Sequence, residues 1–231
     1  MTLDQVVALG PFFAHEQHPS GTVAVAPWRT MSELLDDPAV LEHRVMATRA
    51  YLAAAGGQVF EAVEVRVAAS ITHLGLVARL VSPAIGTAVL GDGVPPLDLG
   101  SVHWQPVLGG AFPLSLVPPN TARDLSTELF EGPVPALNEA TQPFGVSDHI
   151  LRGNVASAIN GASVALTNAA PQLANRAAEV AANLLAHPTL RDTHTTDGTF
   201  RRRSCCLIYR AAPNHAGALC GDCALSAPAA R

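Results

Sequence analysis

Residues 61–81 read EAVEVRVAASITHLGLVARLV, and their periodicity decides the fold class. Val63, Val67, Ile71, Leu74 and Val77 recur at intervals of three and four, the spacing of a helix buried on most of its faces. The first ten residues, EAVEVRVAAS, also alternate β-branched with polar side chains, so a strand followed by a turn is the competing reading. The helical reading spans Gln58 to Val81. The apolar run from Val67 to Leu90 is interrupted by His73, Arg79 and Pro83, which argues against a membrane span.

Upstream, residues 30–57 read TMSELLDDPAVLEHRVMATRAYLAAAGG. Thr30 and Ser32 offer caps, Leu34, Leu35, Leu41, Val45 and Leu52 keep helical spacing, and Gly56-Gly57 stops the run. Pro38 splits or restarts this helix. Downstream, residues 83–120 change character, with Gly and Pro separating short apolar runs. VHWQPVL (102–108) and AFPLSLV (111–117) are the best strand candidates, and Pro106 and Pro113 push both toward sheet edges. Residues 121–131 read as a helix ended by Pro133 and Pro135. Residues 147–190 read as a helical pair, from Ser147 to Asn168 and onward from Pro171, a suitable first-turn proline. Ala156, Ala158, Gly161 and Ala165 would let those two helices approach closely, and His187-Pro188 closes the second.

The expected fold is therefore α+β and mainly helical, a helical bundle with a small Pro/Gly-rich sheet and a C-terminal segment of different chemistry. Three parts follow: a scaffold and substrate region at 1–146, the helical pair with its linker at 147–200, and the segment 201–231. Composition is that of a globular protein, 48% hydrophobic and 14% charged. The net charge of −5 excludes a nucleic-acid binder. Residues 1–200 carry −9 and residues 201–231 carry +4, so only the tail is basic. MTLDQVVALGPFF lacks the basic start of a signal peptide, and a cytoplasmic location is expected.

That tail holds every cysteine: Cys205, Cys206, Cys220 and Cys223. A Cys-x-x-Cys turn aims two sulfurs at one metal, and Gly221 and Asp222 suit such a turn. Adjacent side chains on extended backbone point to opposite sides, so Cys205 and Cys206 do not easily meet one compact ion unless the chain turns sharply. A [2Fe–2S] rhombus accepts a wider spread of four thiolates than one tetrahedral zinc. Structural zinc on a binding module, a disulfide and redox thiol chemistry are the alternatives. Arg201, Arg202, Arg203 and Arg210 would offset the negative charge of a cluster, or dock an anion, or pair with carboxylates of the main body. Ser204 would hydrogen-bond backbone or sulfur. His215, between the cysteine pairs, is a loop residue or an outer donor, and His73 is a core histidine. Trp28, Arg29, His103 and Trp104 are further pocket candidates. GDGVPP matches no phosphate loop or dinucleotide fingerprint, and no triad is evident.

R-R-x-S-C-C-L-x-Y-R followed by C-G-D-C-x-L resembles the C-terminal signature of the FhuF-like ferric-siderophore reductases. LRGNVASAI resembles that family's "WGN-x-A-S-A" segment, with Leu151-Arg152 in place of the aromatic lead-in. Thirteen residues separate the cysteine pairs where the family has about ten, and Ala224 stands where it has proline. The resemblance implies four cluster ligands, Cys205, Cys206, Cys220 and Cys223, on a [2Fe–2S] cluster. It implies one-electron reduction of Fe(III) in a siderophore complex, with release of Fe(II) for iron assimilation. The implied partners are a ferric siderophore and a separate electron donor such as a ferredoxin or flavoprotein, with peripheral association at an inner-membrane importer compatible. A non-enzymatic electron-transfer or iron-sensing protein is the main rival.

Overall fold

The computed structural model describes residues 3–196 and 198–226. The decisive stretch is helical. After a short 3-10 turn at Phe60–Ala62, helix α4 runs from Val65 to Leu90, beyond the expected end at Val81. Pro83 lies inside it. A proline inside a helix, through its missing N–H and its ring clash, costs about 3 kcal/mol. Full burial of Ala84, Ile85 and Val89 beyond the proline offsets that loss. Helix α4 ends at Gly91, whose φ of 89° is a left-handed cap. It is long and apolar enough to cross a membrane by length alone, yet most of it is buried within the fold.

The other helices assemble around it. Helix α1 covers Leu3–Val7, α2 covers Glu33–Asp36, and α3 covers Pro38–Ala55. The cap of α3 is Asp37, which accepts from Ala39 N, rather than Thr30 or Ser32, and Pro38 opens it. Leu125–Phe130 forms α5. Helix α5 stops at Phe130, ahead of Pro133 as the sequence reading has it, and Pro133 then starts α6 (Pro133–Thr141) as a first-turn proline. Helix α7 (Asp148–Ala169) is capped by Ser147 Oγ, and α8 (Ala174–Leu185) follows a 3-10 turn opened by Pro171. Helices α3, α6, α7 and α8 all pack on α4. One core joins residues from Val6 to Leu190.

The small-residue stripe of α7 works differently from expectation. Gly161 and Ala165 are exposed, and with Ala158 and Ala162 they border an apolar groove of about 430 Å³ facing Ile71, Leu74 and Ala78 of α4. Helix α8 instead buries Ala177, Ala181 and Leu184.

The sheet is small and mixed. Strands β1 (Glu16–Gln17), β2 (Arg29–Thr30), β3 (His103–Trp104) and β4 (Leu114–Leu116) stand in the order β1-β4-β3-β2. β1 pairs parallel to β4, and β3 is antiparallel to both β4 and β2. The two proline-flanked strands are therefore central, not edges. Pro106 and Pro113 fall just outside the paired residues, and Pro113 still contributes its carbonyl to Gln105 N. Trp104 is fully buried, with Arg44 over its ring at 4.8 Å. His103 stacks on His18 at 4.0 Å. Arg29 and Trp104 border a cavity of about 280 Å³ with His43 and Arg44, and its lining includes no residue of the cysteine segment.

A candidate iron–sulfur site beside the central helix pair

The C-terminal segment is fixed to the helices by polar contacts and by one small apolar cluster. Residues 201–203 run extended between two stretches of chain: Thr195 N donates to Arg201 O, Arg203 N to Thr193 O, and Arg202 N to Asp222 O. Burial alternates along this run. Arg202, Ser204 and Cys206 point inward, while Arg201, Arg203 and Cys205 are at least partly exposed. Ser70 Oγ of α4 donates to Cys206 O at 2.9 Å, and Ser157 Oγ of α7 donates to Asp222 Oδ2 at 2.6 Å. Each cysteine pair is thus tied to one helix of the central pair.

Local backbone supplies the turns that the cysteines need. Leu207, directly after the adjacent pair, has φ 71°, the sharp bend that lets neighbouring sulfurs diverge from a simple strand. Its amide donates to Cys205 Sγ at 3.2 Å. Cys223 N closes a turn on Cys220 O over Gly221-Asp222, as the sequence suggested, and Leu225 N donates to Cys223 Sγ at 3.4 Å. The long inter-pair loop forms 3-10 turns at Ile208–Ala211 and Pro213–His215. Gln58 Nε2 holds Ala211 O, and Ala211 packs on Ala53, Val63 and Val67.

Cys206 and Cys220 approach to 3.5 Å between sulfurs. That shared hydrogen bond, with the amide of Ile208 and the field of Arg202, pulls the Cys206 thiol down to about 6 against the cost of burial. The same bond and burial push Cys220 up. Burial likewise raises Cys205. Cys206 and Cys223 are buried, and Cys205 and Cys220 are partly exposed. Among the described residues no three His, Cys, Asp or Glu side chains converge on a single-ion position.

The arginines separate into distinct roles. Arg202 is 1% exposed, and its Nη2 donates to Asn154 Oδ1. Asn154 Nδ2 in turn donates to Ser70 O at 3.0 Å and lies 3.4 Å from His73 Nδ1, and His73 Nε2 donates to Asn138 Oδ1 at 2.8 Å. Burial, chiefly, lowers His73 to about 4, so it is the neutral acceptor in this chain. Arg201 Nη1 donates to Ser226 O. Arg203 is exposed, 3.9 Å from Asp192. Arg210 makes two hydrogen bonds to Glu64 at the start of α4, so it pairs with a carboxylate of the main body. His215 Nε2 lies 3.8 Å from the same Glu64 Oε1.

Gly153 is what permits this packing. A Cβ there would stand 2.1 Å from Ser204 Oγ and 3.4 Å from Arg202 Nη2. Gly153, Asn154, Ser70, His73 and Asn138 complete the site's inner wall. Gly153 and Asn154 lie in the LRGNVASAI segment that the sequence singled out and His73 was read as a core histidine, whereas nothing in the sequence marked Ser70 or Asn138.

Residues 202–225 match the family model described as FhuF 2Fe-2S C-terminal domain. The cysteine segment is therefore similar to the FhuF 2Fe-2S domain. No curated protein matches the chain. The match indicates a [2Fe–2S] cluster, in preference to zinc or a disulfide. The FhuF segment also fits such a group on its own geometry. Arg202 Nε and Nη1 and Ser204 Oγ are buried with no partner among the described residues. A guanidinium buried without a counter-anion carries a penalty of several kcal/mol. A four-thiolate [2Fe–2S] core carries the compensating negative charge.

Proposed function

We propose that this protein is a ferric-siderophore reductase in which Cys205, Cys206, Cys220 and Cys223 hold the [2Fe–2S] cluster. When bound, the cluster supplies one electron at a time. Fe(III) is gripped by hard anionic oxygens, and Fe(II), carrying less charge, is held less tightly and exchanges to other ligands. The chemistry calls for no general base and no nucleophile from the chain. The observation that carries this reading is the partial exposure of Cys205 and Cys220 within the FhuF segment, which suits a centre that must meet a bulky chelate at the surface.

The residues of the site would divide the work. Arg202 favours added negative charge and so raises the reduction potential. Asn154 fixes the guanidinium, Ser70 fixes the Cys206 carbonyl, and the Glu64–Arg210 pair anchors the loop between the cysteine pairs. Electrons would come from a ferredoxin or flavoprotein.

Anaerobic purification with iron, sulfide and EPR analysis, followed by stopped-flow mixing of the reduced protein with ferric siderophores, tests the proposal. The expected result is about two irons per chain, an S = 1/2 signal only after reduction, and chelate-dependent reoxidation that yields Fe(II). A reducible cluster that no ferric chelate reoxidises would favour an electron-transfer or sensing role instead. A colourless zinc protein would overturn the cluster as well.

A further inference from the structure

A cavity of about 620 Å³ borders the cysteine segment, between α7, α8 and residues 187–196 and 198–200. Asn160, Leu185, Arg191, His194, Phe200 and Arg203 are among its walls. The cavity is bound directly to the cysteine-bearing strand: Arg203 N donates to Thr193 O, and His194 bridges Arg202. Arg203 and Cys205 lie on the outward side of the alternating run, two positions apart.

Its described lining combines the guanidiniums of Arg191 and Arg203 with apolar side chains such as Leu185, Leu190 and Phe200. Among the described lining residues, two guanidiniums face a single carboxylate, Asp192, which is 3.9 Å from Arg203 and too exposed to neutralise it firmly. The Arg191 side chain has no carboxylate within ion-pair distance among the described residues. His194 stacks on Phe200 at 5.3 Å, giving a flat wall for a planar group. The volume falls within the range of small-molecule sites.

Building on the reductase reading, we propose that this cavity binds the ferric chelate, and that its preferred substrates are net-anionic chelates of the catecholate or carboxylate type, held by Arg191 and Arg203. A neutral trihydroxamate complex would gain nothing from the two guanidiniums. An anionic complex would be drawn in by them and seated beside the Cys205 face.

Gallium(III) complexes test binding without turnover, because gallium has the charge of Fe(III) and is not reduced under these conditions. Calorimetric titration of the cluster-loaded protein should show the gallium tricatecholate complex binding about 10-fold or more tighter than the neutral gallium trihydroxamate complex. Arg191→Gln and Arg203→Gln should each weaken tricatecholate binding about 5- to 10-fold, while Asp192→Asn tightens it about 2- to 5-fold. Raising the salt concentration should narrow the preference. All three side chains are exposed, and an unchanged visible spectrum confirms that the variants keep their cluster. Equal binding of both complexes, or tricatecholate binding indifferent to both arginine substitutions, overturns the proposal. Stopped-flow reoxidation by ferric chelates separates this outcome from the reductase reading. Reoxidation that survives both substitutions unchanged leaves a reductase with its pocket elsewhere. Gallium binding that obeys the predictions without any reoxidation leaves an anionic-chelate site on a protein that is not a reductase.

Discussion

Two buried arginines of the fold are treated in opposite ways. At the sheet end, Arg79 of α4 is 2% exposed and donates to three carbonyls, Phe112 O, Phe12 O and Ala14 O. It joins the N-terminal loop, the sheet and the central helix, and each of its guanidinium nitrogens has a carbonyl partner without any added group. At the cysteine end, Arg202 is as deeply buried, but only one of its guanidinium nitrogens has a partner among the described residues. Burial without partners costs more than the fold returns, so the second arrangement makes sense only for a region completed by an anion. The comparison separates a body that folds on its own contacts from a segment that waits for its cofactor.

The sharpest test of that contrast is cluster removal. Chelating the iron should expose the amides of residues 202–225 to hydrogen exchange, with protection falling by orders of magnitude, while α4 and α7 stay protected. Cys206→Ser should give the same pattern together with loss of iron and visible absorption, leaving the helical circular dichroism intact.

Exchanging the two arginines for leucine should then invert the order of damage. Arg79→Leu leaves three carbonyls unpaired and should cost about 3–5 kcal/mol in urea unfolding, with or without cluster. Arg202→Leu should leave the cluster-free protein unchanged or slightly more stable. In the loaded protein it should lower the reduction potential by tens of millivolts, where about 59 mV is a tenfold change for one electron. Equal destabilisation by both substitutions in the cluster-free protein would break the comparison.

His73 extends the argument to pH. Its folded-state value of about 4 lies below the ordinary 6.5, so the folded protein resists protonation that the unfolded chain accepts. The stability tied to neutral His73 is present in full above pH 6.5 and is lost as pH falls from 6.5 toward 4, by about 3 kcal/mol. His73→Asn should flatten that part of an acid-unfolding profile. Gly153→Ala should cost about 1–3 kcal/mol through the clash with Ser204, and should loosen the cluster as well. The smallest effect belongs to the surface clasp. Glu64→Gln removes the carboxylate held by Arg210 and Arg66, and should leave the unfolding midpoint in place while hastening iron loss to a chelator.

Much of this was legible in the residue order. The three-and-four spacing of Val63 to Val77, the helix start at Ser147, the restart at Pro38 and the first-turn proline 171 specify helices locally, because hydrogen bonds and φ preferences act within a few residues. The cysteine spacing named the cofactor class for the same reason, since ligand type and turn chemistry are local. Where local rules failed, a long-range term had outweighed them. Pro83 marks a helix break only if burial beyond it is ignored, and Pro113 marks an edge strand only if its carbonyl goes unused.

The arginines show the division most clearly. The sequence by itself determined that a basic tail carries four closely spaced cysteines behind a run of three arginines. Only the tertiary structure decided that Arg202 is buried against Asn154, that Arg203 opens onto a cavity, and that Arg210 is paired with Glu64 across 146 positions of chain. Charge and ligand type are properties of side chains and can be read one residue at a time. Burial, and therefore what a charge can do, depends on which helices the chain brings around it.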